Sequence, residues 1–138
     1  MLCGVEIEHP QGLAGHSDAD VGAHALIDAL LGAAGLGDIG EWFPDTDPAF
    51  AGVSSMELLR RVIVRVGEGG WVVANADVTL ICERPRLAGD RPAMRETLAS
   101  ALGVASDAVS VKGTTTEGMG FEGRGEGVAA HAVCLLTR

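Results

Sequence analysis

Tyrosine is absent from this 138-residue chain, and aromatic residues make up only 4% of it. That is too few for a platform on which nucleic-acid bases would stack. Basic residues are scarce too: 10 Lys and Arg against 19 Asp and Glu give a net charge of −9. A protein that grips nucleic acid over its surface carries the opposite sign, so that class is excluded. No apolar run approaches the ~20 residues that a membrane helix needs. The longest candidate, 25–36, carries Asp28 in its middle, so no membrane association is expected. A basic start followed by an apolar stretch and a small-residue cleavage site is not visible, so no secretory signal is expected. Cysteine is limited to Cys3, Cys82 and Cys134, odd in number, far apart and without C-x-x-C spacing. This argues against a disulfide framework and for a reducing, cytoplasmic setting. Linkers, repeats and charge blocks are also missing, so residues 1–138 read as a single domain, long enough to bury a core without staples.

Glycine, by contrast, is plentiful. The chain has 20, roughly double the ordinary share of ~7%. With only 5 prolines, the composition stays short of low complexity, so the glycines mark tight turns and close backbone approaches. An anionic ligand would have to be held locally, by metal ions or backbone N–H groups, against an unfavourable overall field.

Alternation of Val5 and Ile7 with Glu6 and Glu8 suits a short strand. Ser17 opens a first helix with Asp18 and Asp20 in its first turn, running to about Ala34 and stopping at Gly35. Ser54-Ser55-Met56-Glu57 has the capping-box pattern S-x-x-E and leads Leu59, Val62, Ile63 and Val66 at helical spacing, ending in glycines 67–70. Residues 71–82 alternate in part and read as a long strand. Pro92 starts a helix through Met94, Leu98 and Leu102 that ends at Gly103. Residues 109–112 and 128–136 read as the last strands. The expected fold is an α/β (α+β) two-layer sandwich, a sheet of about four strands with helices on one face.

Four features carry chemistry. Asp20, His24 and Asp28 are spaced to share one helix face; a histidine flanked by carboxylates is either a metal ligand with its supporting shell or part of a solvated polar face. Gly35-Leu36-Gly37-Asp38-Ile39-Gly40 spells G-x-G-x-x-G but follows a helix, so it reads as a helix C-cap and turn, not a dinucleotide loop. Gly118-Met119-Gly120-Phe121-Glu122-Gly123 fails the same context test. Lys112-Gly113-Thr114-Thr115-Thr116-Glu117-Gly118 brings hydroxyls, a carboxylate and backbone N–H groups to a strand end, fit for phosphate and Mg²⁺ or merely a threonine-rich turn. Glu83-Arg84-Pro85-Arg86 offers two guanidiniums beside a rigid proline, for phosphate or as a solvated rim.

Together these segments resemble a known family. The run from His16-Ser17-Asp18 through Asp20-Val21, His24-Ala25-Leu26 and Asp28-Ala29-Leu30-Leu31 is similar to the signature of 2-C-methyl-D-erythritol 2,4-cyclodiphosphate synthases. So are Leu36-Gly37-Asp38-Ile39-Gly40, Phe43-Pro44-Asp45-Thr46-Asp47-Pro48, Thr114-Thr115-Thr116-Glu117 and Gly123-Arg124-Gly125-Glu126-Gly127. The resemblance runs from about Leu2 to the C-terminus.

It implies a phosphorus–oxygen lyase of non-mevalonate isoprenoid biosynthesis, a homotrimer assembled around the sheets. The 2-phosphate of 4-diphosphocytidyl-2-C-methyl-D-erythritol 2-phosphate attacks the β-phosphorus, the cyclic diphosphate closes and CMP leaves. The nucleophile is already ionised, so the chemistry asks for tethered in-line geometry and charge neutralisation more than for a strong base. By resemblance, His16 and Thr115 are catalytic, stabilising the transition state. His16 and Ser17 contact diphosphate or methylerythritol, and Asp28 lies in the same neighbourhood. Asp38, Ile39 and Gly40 meet the ribose. Phe43, Pro44, Asp45, Thr46 and Asp47 form a loop over the methylerythritol part. Cys82, Pro85, Arg86, Leu87 and Ala88 form the cytosine pocket, with Arg86 where the family usually has lysine. Thr114 and Thr116 flank Thr115 on the phosphate loop. His24 is a zinc or manganese ligand and Glu117 a magnesium or manganese ligand. Phe121 and Arg124 lie at the trimer's central channel, where His131 replaces a common acidic residue.

The chain starts after the family's first strand, whose Asp-x-His pair completes the zinc ligands, so the zinc site is incomplete as written. A shortened form of a longer protein is expected. The alternative is an impaired trimeric module that binds CDP-like nucleotides or isoprenoid diphosphates without turnover.

Overall fold

The computed structural model describes residues 1–8 and 19–138, and its first helix begins later than the serine suggests. Helix α1 spans Val21–Ala33, and Asp20 is its N-cap. The Asp20 carboxylate accepts from Ala23 N at 3.0 Å and, from the start of the chain, from Cys3 N and Gly4 N at 2.7 Å each. Asp20 is fully buried, and a buried carboxylate needs such donors. Ser17, the expected cap, lies outside the described residues. The helix ends as the glycine pattern indicates, with Ala34 as C-cap and Gly35 at φ +70°.

The expected strand at Val5 and Ile7 does not form. Leu2 and Val5 make an isolated bridge around Cys3 and Gly4, whose φ values are +48° and +77°. That turn aims two amides at Asp20, so the segment fastens to α1 and does not join the sheet. Among the described residues the sheet therefore has three strands, not about four. Strands β1 (Val72–Ile81), β2 (Val109–Thr114) and β3 (Ala129–Thr137) lie in the order β2-β1-β3. β1 pairs parallel with β2 and antiparallel with β3. A register shift between Val73 and Asn75 explains the partial alternation of this stretch. Before it the inward residue is Val73; after it Ala76, Val78 and Leu80 are the buried ones.

Short helix α2 (Ile39–Trp42) is capped by Asp38, whose carboxylate accepts from Glu41 N at 2.9 Å. Helix α3 (Ser55–Glu68) is capped by Ser54, whose Oγ accepts from Met56 N at 3.2 Å. The expected capping box gives way to a simple serine cap, and Glu57 pairs instead with Arg61 at 3.3 Å. Helix α4 (Arg91–Leu102) carries Pro92 in its first turn and ends at Gly103, φ +71°. A one-turn helix α5 (Gly120–Gly123) lies in the glycine-rich segment before β3.

The helices cover one face of the sheet, as the two-layer reading requires. Leu26, Ile27, Leu30 and Leu31 of α1, Leu59 and Val62 of α3, and Met94 and Leu98 of α4 meet Val78, Leu80 and Val109 in the buried core. Each such side chain contributes about 1.5–3 kcal/mol by leaving water. The opposite face is different: Val72, Val133 and Leu135 are 63%, 70% and 53% exposed. Among them Asp77 and Lys112 form an ion pair at 2.7 Å.

Candidate active site

Two cavities hold the anticipated site residues, one in the helical layer and one at the strand ends. The first, about 320 Å³, is lined by His24 of α1, Ile39 and Gly40 of α2, Phe43, Pro44, Asp45, Phe50, and Leu58 of α3. Phe43 and Phe50 meet edge to face with centroids 5.3 Å apart, which stiffens the turn between them. Asp47 accepts from Ala49 N at 2.9 Å and starts the short 3₁₀ turn Pro48–Phe50. The loop anticipated over the methylerythritol part is thus a folded wall, with Thr46 exposed at its edge.

His24 Nε2 lies 2.7 Å from Ser55 Oγ. The carboxylates expected near this histidine also accept from backbone amides. Asp20 faces the chain start as a helix cap, and Asp28 Oδ1 accepts from Ile39 N at 2.8 Å. Asp28 therefore sets where α2 sits; it shares a face of α1 with His24 one turn away, while Asp20 stands at the N-cap, ahead of the helix. Ser55 was missed. The doubled serine at 54–55 held the signal, since one hydroxyl caps the helix and the other is left for a different partner.

The second cavity, about 340 Å³, is lined by 82–88, Arg91, Gly113, Thr114 and Thr115. It brings together Cys82, Pro85, Arg86, Leu87, Ala88, Thr114 and Thr115, which lie far apart in sequence and were all anticipated. Parallel pairing of β1 with β2 is the reason, because it places both strand ends side by side. Cys82 N donates to Thr114 O at 3.0 Å just past the strands. Arg91, the first residue of α4, is an unanticipated member. Cys82 Sγ donates to Pro85 O. Burial, then the Glu83 charge, push the Cys82 thiol above its usual value. Burial does the same to Cys3 and Cys134, so none of the three thiols is a poised nucleophile.

Glu117 is exposed, with φ +54°, and its N–H donates to Thr115 Oγ1 at 3.2 Å. Thr116 Oγ1 donates to Met119 O. Phe121 is 45% exposed on α5, and its ring packs where a Cβ at Gly127 would stand. Arg124 forms a two-pronged pair with Glu126, at 2.9 and 3.1 Å. His131 is exposed on the open sheet face. His16 lies outside the described residues, as does Ser17.

A divalent cation of the magnesium type fits Glu117, an exposed carboxylate on a loop, since such ions take one or two carboxylates and complete their shell with water and phosphate oxygens. Zinc at His24 does not fit the described residues alone. A tetrahedral site takes three protein ligands, and among the described residues no three His, Cys, Asp or Glu side chains gather for a metal.

Known proteins resemble this chain in sequence and fold. The family described as the YgbB family matches residues 1–137. The 2-C-methyl-D-erythritol 2,4-cyclodiphosphate synthase of Methylococcus capsulatus is 59% identical over 138 residues, covering 100% of this chain and 87% of that one. The synthase of Rubrobacter xylanophilus is 61% identical, covering 100% and 83%. A solved 2C-methyl-D-erythritol-2,4-cyclodiphosphate synthase in its CDP-bound form superposes with a TM-score of 0.91 at 39% identity, over 99% of this chain and 89% of that one.

Proposed function

This chain belongs to the YgbB family, and we infer that it catalyses the reaction for which its synthase relatives are named. It is a lyase of non-mevalonate isoprenoid biosynthesis that closes 4-diphosphocytidyl-2-C-methyl-D-erythritol 2-phosphate to the 2,4-cyclodiphosphate and releases CMP. The observation that carries the site assignment is the cavity in which 82–88 meet Thr114 and Thr115. It supplies backbone groups, three arginines and hydroxyls beside an exposed carboxylate, which suits a base, a ribose and a diphosphate in sequence.

The cytosine lies against Cys82, Pro85, Leu87 and Ala88, and Arg86 contributes a guanidinium. Thr114, Thr115 and Thr116 bring hydroxyls to the phosphates, with Thr115 stabilising the charge that develops at the attacked phosphorus together with His16. Asp38, Ile39 and Gly40 contact the ribose. The methylerythritol part occupies the His24 cavity under Phe43, Pro44 and Asp45, where apolar walls exclude water and Ser55 holds the imidazole. Ser17 and Asp28 belong to this side. A magnesium-type ion at Glu117, when bound, neutralises charge between the phosphates. The reaction needs no deprotonated side-chain nucleophile, in keeping with three thiols held protonated.

A homotrimer completes the proposal. The open sheet face exposes Val72, Val133 and Leu135, apolar side chains that a partner sheet face would cover. Phe121 and Arg124 lie nearest the proposed axis. Three unpaired cysteines suit the cytoplasm, and among the described residues no helix is long and apolar enough to cross a membrane.

The test is CMP release from the diphosphocytidyl substrate with Mg²⁺ or Mn²⁺, beside light scattering. Turnover by a trimer is expected. CDP binding without any CMP release from a trimer supports a binding module instead, and a clean monomer removes the intersubunit site.

A further inference from the structure

Residues 114–118 are held at both ends by one dipeptide. Cys82 N donates to Thr114 O at 3.0 Å, which prolongs the β1–β2 pairing by one step. Gly118 N donates to Glu83 Oε1 at 2.9 Å, a side chain reaching a backbone 35 positions away. Between these anchors sits Glu117 at φ +54°, a conformation that non-glycine residues hold only when their surroundings impose it. Gly123 closes the loop from the far side: a Cβ there would come within 2.3 Å of Gly118 C. Glu83 makes no ion pair with its neighbours Arg84 and Arg86 among the described residues. Its carboxylate is committed to Gly118, and the residue also lines the cavity of 82–88.

We propose that Glu83 is a positioning residue for Glu117. By accepting the Gly118 N–H it holds the left-handed backbone of Glu117 and so fixes the direction in which that carboxylate leaves the loop. Because Glu83 belongs to the cavity wall, an occupied nucleotide cavity and a correctly aimed carboxylate support each other. This rests on reading Glu117 as a ligand of the divalent cation. A glutamine keeps an acceptor oxygen at this place, whereas an alanine leaves the amide to water.

The test titrates Mn²⁺ into the full chain saturated with CDP, read by the loss of free-ion EPR signal, together with amide exchange at Gly118 and thermal unfolding. Glu83→Ala should weaken Mn²⁺ roughly five- to tenfold, within the range of one ordinary hydrogen bond, and speed Gly118 exchange. Glu83→Gln should stay near the parent in both. Glu117→Ala should lose the site. Parent-like Mn²⁺ binding in Glu83→Ala, with the site lost in Glu117→Ala, overturns the positioning role and leaves the Glu117 reading intact. Parent-like binding in Glu117→Ala overturns that reading itself. Should Glu83→Ala unfold early, Glu83→Gln decides: weakened Mn²⁺ binding there, at unchanged thermal stability, makes the charge and not the acceptor responsible, against the proposal.

Discussion

The cavity around His24 takes its walls from side chains: an imidazole, two phenyl rings and aliphatic groups carried by α1, α2, α3 and the turn between them. The cavity around 82–88 takes its walls largely from strand-end loops, with arginines and threonines at its mouth. Side-chain walls exclude water and shape a small apolar body. Loop walls present N–H and C=O groups at fixed spacing, which suits a base edge and phosphates. One substrate with a branched polyol at one end and a nucleotide at the other needs both kinds of wall.

Substitutions separate the two. The largest effect is expected from Glu117→Ala: CMP release should fall roughly 10²–10³-fold, as when one preorganised electrostatic contact is removed, with CDP affinity measured without metal unchanged. A smaller loss would move the charge-neutralising role off this loop. Arg86→Ala should weaken CDP about tenfold by calorimetry, discounted for an exposed side chain, and leave a methylerythritol phosphate fragment unaffected. Equal losses for both ligands would erase the distinction between the cavities. Phe43→Ala should do the reverse, about fivefold in KM for the full substrate from the lost aromatic pair, with parent-like CDP binding. Ser55→Ala should be mildest, roughly three- to fivefold in turnover; no change at all would show that His24 is held by its other contacts.

Both cavities were partly legible from residue types. Glu83–Arg86 and the threonines stood out because their chemistry is local, a rigid proline between arginines and hydroxyls at a strand end, whereas the wider 82–88 pocket came from the family resemblance. The His24 cavity was half legible. Its histidine stood out and Phe43 came with the family resemblance, whereas Phe50 and Leu58 drew no notice and Ser55 was read only as part of a helix cap. An apolar residue that lines a ligand cavity looks, in sequence, like one that lines the core. Asp20 misled for a related reason. Helical spacing grouped it with His24, but it is the N-cap of α1, and besides Ala23 its donors are Cys3 and Gly4, 17 and 16 positions away.

Amphipathic spacing, glycine stops and strand alternation were enough to give three long helices and the strands of the sheet, because each pattern depends on neighbours within a turn or two of chain. The motif runs were likewise enough to give the family. Other facts came only from the folded path. The shift at Val73/Asn75 changes which residues of β1 face the helices. His24 meets Ser55 across 31 positions, and Glu83 meets Gly118 across 35. Such pairings depend on where sheet order and helix packing carry distant segments, and no nearest-neighbour preference encodes that.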